Sequence, residues 1–140
     1  MERAIFIDKD KCVGCQACIV ACKLEHSLPP YPTQPVISEA QGPQLIRVFQ
    51  IGPEIQNGEV CLFFQPISCM HCADAPCIRA CPRSAIYKDS KTSVTLVDRD
   101  KCIGCKFCLW VCPYGAPQFY EGKMILCDLC IHRLEEHREK

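Results

Sequence analysis

The sequence predicts an α+β fold of short helices and short β-hairpins in repeated modules, and three observations carry that prediction. Fifteen of 140 residues are cysteine, and all but Cys61 fall in tight runs: CVGCQACIVAC from Cys12, CMHCADAPCIRAC from Cys69, CIGCKFCLWVC from Cys102 and CDLC from Cys127. Ile7–Cys22, IDKDKCVGCQACIVAC, matches Val97–Cys112, VDRDKCIGCKFCLWVC, at an offset of 90 residues, the mark of a duplicated module. Between the runs lie brief apolar stretches closed by turn signals, Asn57-Gly58 and Glu121-Gly122, which read as hairpins.

Lys101–Pro113, KCIGCKFCLWVCP, carries the pattern C-x2-C-x2-C-x3-C-P. This is the bacterial ferredoxin signature, in which three close thiolates hold one iron–sulfur cube and the fourth reaches a second. The reciprocal set precedes it, as Cys69, Cys72, Cys77 and Cys81 in C-x2-C-x4-C-x3-C-P. Cluster A is then held by Cys102, Cys105, Cys108 and Cys81, and cluster B by Cys69, Cys72, Cys77 and Cys112. Two intervening residues make a tight loop that aims thiolates at neighbouring corners of a cube, and its N–H groups offset the charge on sulfur. The x3 step predicts a helical turn that carries the last cysteine away, ended by Pro82 or Pro113, which cannot donate a backbone hydrogen bond. By the repeat, Cys12, Cys15 and Cys18 seat cluster C, and Cys22 points toward a fourth site, D.

Taken in order, Ala4–Asp8 reads as a short strand leading into the first run. Lys23–Pro43, with SLPPYPTQP, reads as a surface insertion loop. Leu45–Ile51 and Glu59–Gln65 form a hairpin over Asn57-Gly58, which either covers a cluster face or simply packs. Ala85–Tyr87 and Val94–Val97 form a second hairpin across KDSKTS, and Glu121-Gly122 closes a third. Cys127 and Cys130 follow, then a charged terminal helix of about two turns, read as a solvated end with docking as the alternative. The organisation is one polyferredoxin domain over 1–140, with modules 1–22 plus 114–140 and 66–113 and an insertion at 23–65.

Composition limits the function. MERAIFIDKDK lacks a signal-peptide apolar core, so a reducing, cytoplasmic setting is expected, where clustered thiols mean metal and not cystines. No run approaches the roughly 18 apolar residues that span a bilayer. Lys+Arg and Asp+Glu are both 16, with no basic block to suggest nucleic acid. Each loaded cube adds about −2 in its oxidised form, partly offset by Lys11, Lys23, Arg79, Arg83, Lys101 and Lys106. Nothing resembles a catalytic site. The aliphatic core is broken into short pieces, so folding and cofactor loading are expected to be coupled and the metal-free chain poorly folded.

CVGCQACIVACK, PISCMHCADAPCIRACPRSAI, DRDKCIGCKFCLWVCPYGAP and LCDLCIHR together resemble the four-cluster ferredoxin-like electron-transfer subunits of molybdenum and tungsten pterin oxidoreductases. Dimethyl sulfoxide reductase, polysulfide reductase, formate dehydrogenase and some tungsten aldehyde oxidoreductases have such subunits. The group containing His71 and Pro76 is the most family-specific. The resemblance implies a non-catalytic relay of single electrons between a larger pterin-metal subunit, the tungsten aldehyde oxidoreductase type being favoured, and a second partner such as a flavin subunit. Transfer from copy to copy in an oligomer is a further expectation. The alternatives are a free-standing soluble polyferredoxin and a zinc module with four-thiolate sites, against which the C-x2-C-x2-C triplets speak.

In that family two more cysteines follow the final C-x2-C after a spacer; none follows Cys130 here. Cys22, Cys127 and Cys130 offer three thiolates to D, and Cys61 completes C or D or is a buried strand residue. Four 4Fe-4S clusters are favoured, with three plus a vestigial site as the other outcome. Fifteen thiolates for four cubes leave one position to Asp128, His26, His132, a neighbour's cysteine or a three-iron cluster. His71 either donates to a cluster sulfur or braces its loop, and Phe107 and Trp110 are expected to shield cluster A from water.

Overall fold

Wherever three residues separate two cysteines the chain winds into helix. In the computed structural model, which describes residues 4–28 and 42–136, α1 spans Ala17–Glu25, α2 Pro76–Arg79 and α3 Phe107–Trp110. The caps of α1 and α3 are left-handed, Gln16 at φ 60° and Lys106 at φ 64°. α2 instead opens from extended Ala75 with Pro76 at its first position, where the missing N–H would have no intrahelical partner. α2 and α3 stop after one turn, as their prolines require. The last N–H groups fall back on nearer carbonyls, Cys81 on Ile78 at 3.2 Å and Cys112 on Leu109 at 3.3 Å. In the first run Lys23 stands where the third has Pro113. With an N–H available, α1 continues to Glu25 and closes with the His26 N–H on the Cys22 carbonyl, 3.2 Å.

Among the described residues the strands form three separate two-stranded antiparallel sheets. β1 (Arg47–Gln56) pairs with β2 (Glu59–Ile67) from Arg47↔Ile67 to Gln56↔Glu59, around Asn57 and Gly58 at φ 53° and 84°, the pair of positive φ values that suits strand twist in a two-residue turn. Its one irregularity, between Ile51 and Glu54, holds Gly52 and Pro53; proline is tolerated within a strand at such a bulge. β3 (Ile86–Lys88) pairs with β4 (Thr95–Val97), and β5 (Gln118–Tyr120) with β6 (Lys123–Ile125). Asp89 organises the β3–β4 loop by accepting from the N–H groups of Lys91 and Thr92, 3.2 and 2.7 Å. α4 covers Ile131–Glu136.

Two expectations change. Ala4–Asp8 is not a strand, because no ladder partner lies beside it among the described residues. Lys23–Glu25 belongs to α1 and not to the insertion loop, of which residues 29–41 lie outside the described part. α4, with six residues, makes the terminal helix of about two turns that was expected, and 137–140 are likewise outside the described part.

The chain divides into two compact units, Phe6–Ser68 and Met1–Ile5 with Cys69–Lys140. The core of the second is Ile86, Cys108, Ala116, Met124 and Leu126, with Cys69, Cys77, Cys81, Cys102 and Cys112 packed against it. Thiols occupy places that aliphatic side chains hold in an ordinary small domain. The repeat is visible in local geometry as well. Asp8 accepts the Asp10 N–H at 3.1 Å and pairs with Lys11 at 3.4 Å; ninety residues later Asp98 accepts the Asp100 N–H at 3.0 Å and pairs with Lys101 at 3.0 Å.

Candidate metal centres

Cys81, Cys102, Cys105 and Cys108 line one small cavity in the second unit, closed by Ile86, Phe119 and Met124. They arrive by three routes. Cys102 and Cys105 flank Gly104, whose φ of 69° lets the loop turn sharply. A Cβ there would collide with the Gly122 carbonyl oxygen, so the β5–β6 turn sits directly on the loop. Cys108 is on the inner face of α3, buried at 6 % exposure, and Cys81 is delivered by the end of α2.

A second group adjoins the first. The Cys69 thiol lies within electrostatic reach of Cys77 and Cys112, Cys77 within reach of Cys112 and Cys72, and Cys108 within reach of Cys77. The thiols brought together are therefore those in which each four-cysteine run contributes its last member to the other's group. Cys127, buried, also lies within reach of Cys69.

In both groups backbone amides point at sulfur. Backbone N–H groups donate to Cys81 from Ala85 at 3.2 Å, to Cys102 from Met124 at 3.3 Å, to Cys69 from His71 at 3.4 Å and to Cys112 from Ala116 at 3.4 Å. The Cys81 and Cys112 contacts come from the same position, four residues on, after the same proline-terminated turn. Burial pushes the Cys69 thiol up to about 12 and Cys108 up to about 11, and raises Cys77 and Cys127 as well; neighbouring thiols add to each. Convergent thiols, several of them accepting backbone N–H groups, match the donor set of a four-thiolate iron–sulfur cube.

The shielding residues are not those expected. Trp110 is 83 % exposed and Phe107 56 %, because a single turn that turns Cys108 inward leaves its other faces to solvent. Phe119 and Met124 take that place, supplied by the β5–β6 hairpin, and nothing in the cysteine pattern marked them. Lys106 lies over the Phe119 ring at 5.8 Å and, with Arg83, lines the same cavity. Of the other cations near the cysteines, Arg79 is paired with Asp74 and Lys23 is buried on α1.

In the first unit Cys12, Cys15 and Cys18 occupy a loop like that of Cys102–Cys108, with Gly14 at φ 68° and Gln16 at φ 60°. Phe64 of β2 packs over Gly14, where an added Cβ would fall 2.5 Å from the ring, so the long hairpin covers this loop. Strand alternation puts Cys61, three residues from Phe64, on the opposite face of β2. Cys22 lies on α1 in this unit, with His26 at the helix end. Cys127, Cys130, Asp128 and His132 belong to the second. There Asp128 accepts the Cys130 N–H at 2.9 Å, and Leu129 and Cys130 are both left-handed.

Family comparison agrees with this chemistry. A family model described as a 4Fe-4S dicluster domain matches residues 60–140, and a second of the same description matches 11–86. The protein belongs to the 4Fe-4S dicluster domain family. Two such dicluster matches imply up to four 4Fe-4S clusters on the fifteen cysteines. Among curated relatives, this dicluster protein is 40 % identical over 143 residues to a sulfite dehydrogenase subunit of Allochromatium vinosum, covering 96 % of this chain and 58 % of the relative. It is 38 % identical over 140 residues to a chain of the anaerobic dimethyl sulfoxide reductase of Escherichia coli, covering 99 % and 66 %. It is 39 % identical over 128 residues to the polyferredoxin-like subunit of aliphatic sulfonate oxidoreductase from Pyrococcus furiosus, covering 90 % and 64 %. The chain thus spans 58 to 66 % of the length of these relatives. Among the described residues no helix is long and apolar enough to cross a membrane.

Proposed function

We propose that this chain is a non-catalytic iron–sulfur subunit that relays single electrons between a larger molybdenum- or tungsten-pterin oxidoreductase subunit and a second redox partner. The observation that carries the proposal is the pair of adjoining thiol groups, each completed by the other run's last cysteine. Cys102, Cys105, Cys108 and Cys81 would hold cluster A, and Cys69, Cys72, Cys77 and Cys112 cluster B. Cys12, Cys15 and Cys18 would serve cluster C, and Cys22, Cys127 and Cys130 cluster D, with Cys61 a strand thiol on the far face of β2. The module division, 1–22 with 114–140 and 66–113, is part of the same reading. When bound, a 4Fe-4S cube takes up and returns one electron without bond breaking at a substrate. The protein's share is to hold the thiolates, offset their charge with amide donors and exclude water with Phe119 and Met124.

Exposed apolar side chains rim the exposed cysteines of both repeats, Ile103, Phe107 and Trp110 near Cys105 and Val13 and Val20 near Cys15 and Cys18, as suits faces that meet a partner. The relatives are named as subunits or chains of dehydrogenases, reductases and oxidoreductases, which supports a larger oxidoreductase partner. A tungsten aldehyde oxidoreductase, a flavin protein as second partner, a cytoplasmic setting and transfer between copies are the finer parts of the proposal. Anaerobic purification from the native source tests it. A brown protein that bleaches with dithionite and travels with a larger pterin-metal subunit is expected. A colourless protein, or a brown one that always purifies alone, contradicts it. Light scattering that finds one copy per partner at every concentration would remove the stacking element.

A further inference from the structure

His71 sits between Cys69 and Cys72 at φ 47°, and its surroundings fix which nitrogen carries the proton. Its Nδ1 accepts the Thr95 N–H of β4 at 3.0 Å. An accepting Nδ1 requires a neutral ring with the proton on Nε2. Lys88 Nζ donates to the His71 carbonyl at 2.8 Å and to the Ser93 carbonyl at 3.0 Å, so backbone and ring are both tied to the β3–β4 hairpin. Bracing therefore uses Nδ1 and the carbonyl. Nε2, the donor, is buried and has no hydrogen-bond partner among the described residues; the other buried orphan, the Thr95 hydroxyl, does not satisfy it.

A buried imidazole N–H without an acceptor carries its full desolvation cost. The acceptors that cluster loading adds beside this loop are sulfurs, and the His71 backbone N–H already donates to one of the ligand thiols, Cys69. We infer that His71 Nε2–H donates a hydrogen bond to a sulfur of the cube held by Cys69, Cys72, Cys77 and Cys112, and that this bond raises the potential of that cube above what its ligands alone would give. The inference rests on the ligand set proposed for cluster B. Reduction makes the cube more negative and strengthens a hydrogen bond to its sulfur, so the donor favours the reduced form.

The test is an anaerobic potentiometric titration with dithionite as reductant, followed by electron paramagnetic resonance, on the intact chain and on His71→Leu. One cluster of the variant should show about a tenfold lower ratio of reduced to oxidised form at a fixed potential, a downward shift of about 59 mV for one electron, while the others stay in place. A pulsed measurement on protein labelled with 15N in the histidine imidazole rings alone, so that the His71 backbone amide already on Cys69 stays silent, should detect a nitrogen coupling and an exchangeable proton on one reduced cluster. That signal should persist when His26, His132 and His137 are all replaced by Asn and vanish in His71→Leu. Unchanged potentials in a fully loaded His71→Leu protein overturn the inference. If that variant fails to load, absence of the coupling in the labelled intact protein overturns it equally. Failure of the underlying ligand set looks different, since Cys77→Ser would then leave iron and sulfide per chain unchanged.

Discussion

Gly104 and Gly58 both have positive φ, 69° and 84°, yet differ in what a side chain would meet. Among the described residues nothing lies within 4 Å of a Cβ at Gly58, whereas at Gly104 it would run into the Gly122 carbonyl oxygen. Gly58→Ala should cost about 1–2 kcal/mol, the left-handed penalty alone. Gly104→Ala should cost more and lose iron, as judged by anaerobic thermal unfolding and iron content; equal, small effects would mean that the β5–β6 turn does not press on the loop. The buried thiols set a pH dependence. Burial raises the Cys69 and Cys108 thiols, to about 12 and about 11, so each has a tightly held proton to give up when it binds iron. Protons then compete with iron, and the competition fades as pH rises through the raised values. A chelator should strip iron faster at about pH 6 than at about pH 8, followed by loss of visible absorbance. A flat or reversed dependence would show that the thiols are not the groups being titrated.

Elements explain which parts of the fold could be read in advance. The three hairpins and the helical turns follow from local chemistry: Asn57-Gly58 and Glu121-Gly122 dictate their turns, and Pro82 and Pro113 end theirs. The two ends of the first run were harder. The stretch at Ala4–Asp8 resembles Val94–Val97, which has β3 as a ladder partner, but strand formation depends on a neighbour that its own residues do not encode. Lys23 in place of Pro113 lengthens α1, a consequence of one substitution within the repeat. Phe64 covering Gly14 was equally out of reach, since it joins residues fifty positions apart in sequence. It yields a test: Phe64→Ala should cost about 1–2 kcal/mol and, in air, release the iron of one cube earlier than the rest. Iron release kinetics identical to the parent protein would show that the ring shields nothing.

On the scale of the whole molecule, the iron–sulfur character of the chain was the most legible feature, because the spacing of cysteines within a run is a local property of the sequence. Their shielding was not legible: Trp110 and Phe107 looked buried from their neighbours, but helix phase turns them outward and leaves Phe119 and Met124 inside. What holds the second unit together is correspondingly not a full aliphatic core, since the residues packed on Ile86, Ala116, Met124 and Leu126 are largely thiols. Chemical analysis of the anaerobically purified, fully loaded protein tests this most directly, by counting iron and acid-labile sulfide and integrating electron spins after dithionite reduction. The account predicts about sixteen iron and sixteen sulfide per chain if all four cubes form, about twelve of each if three do, with one spin gained per reducible cube. Protein that contains no sulfide, or that folds and stays folded with zinc alone, would contradict it.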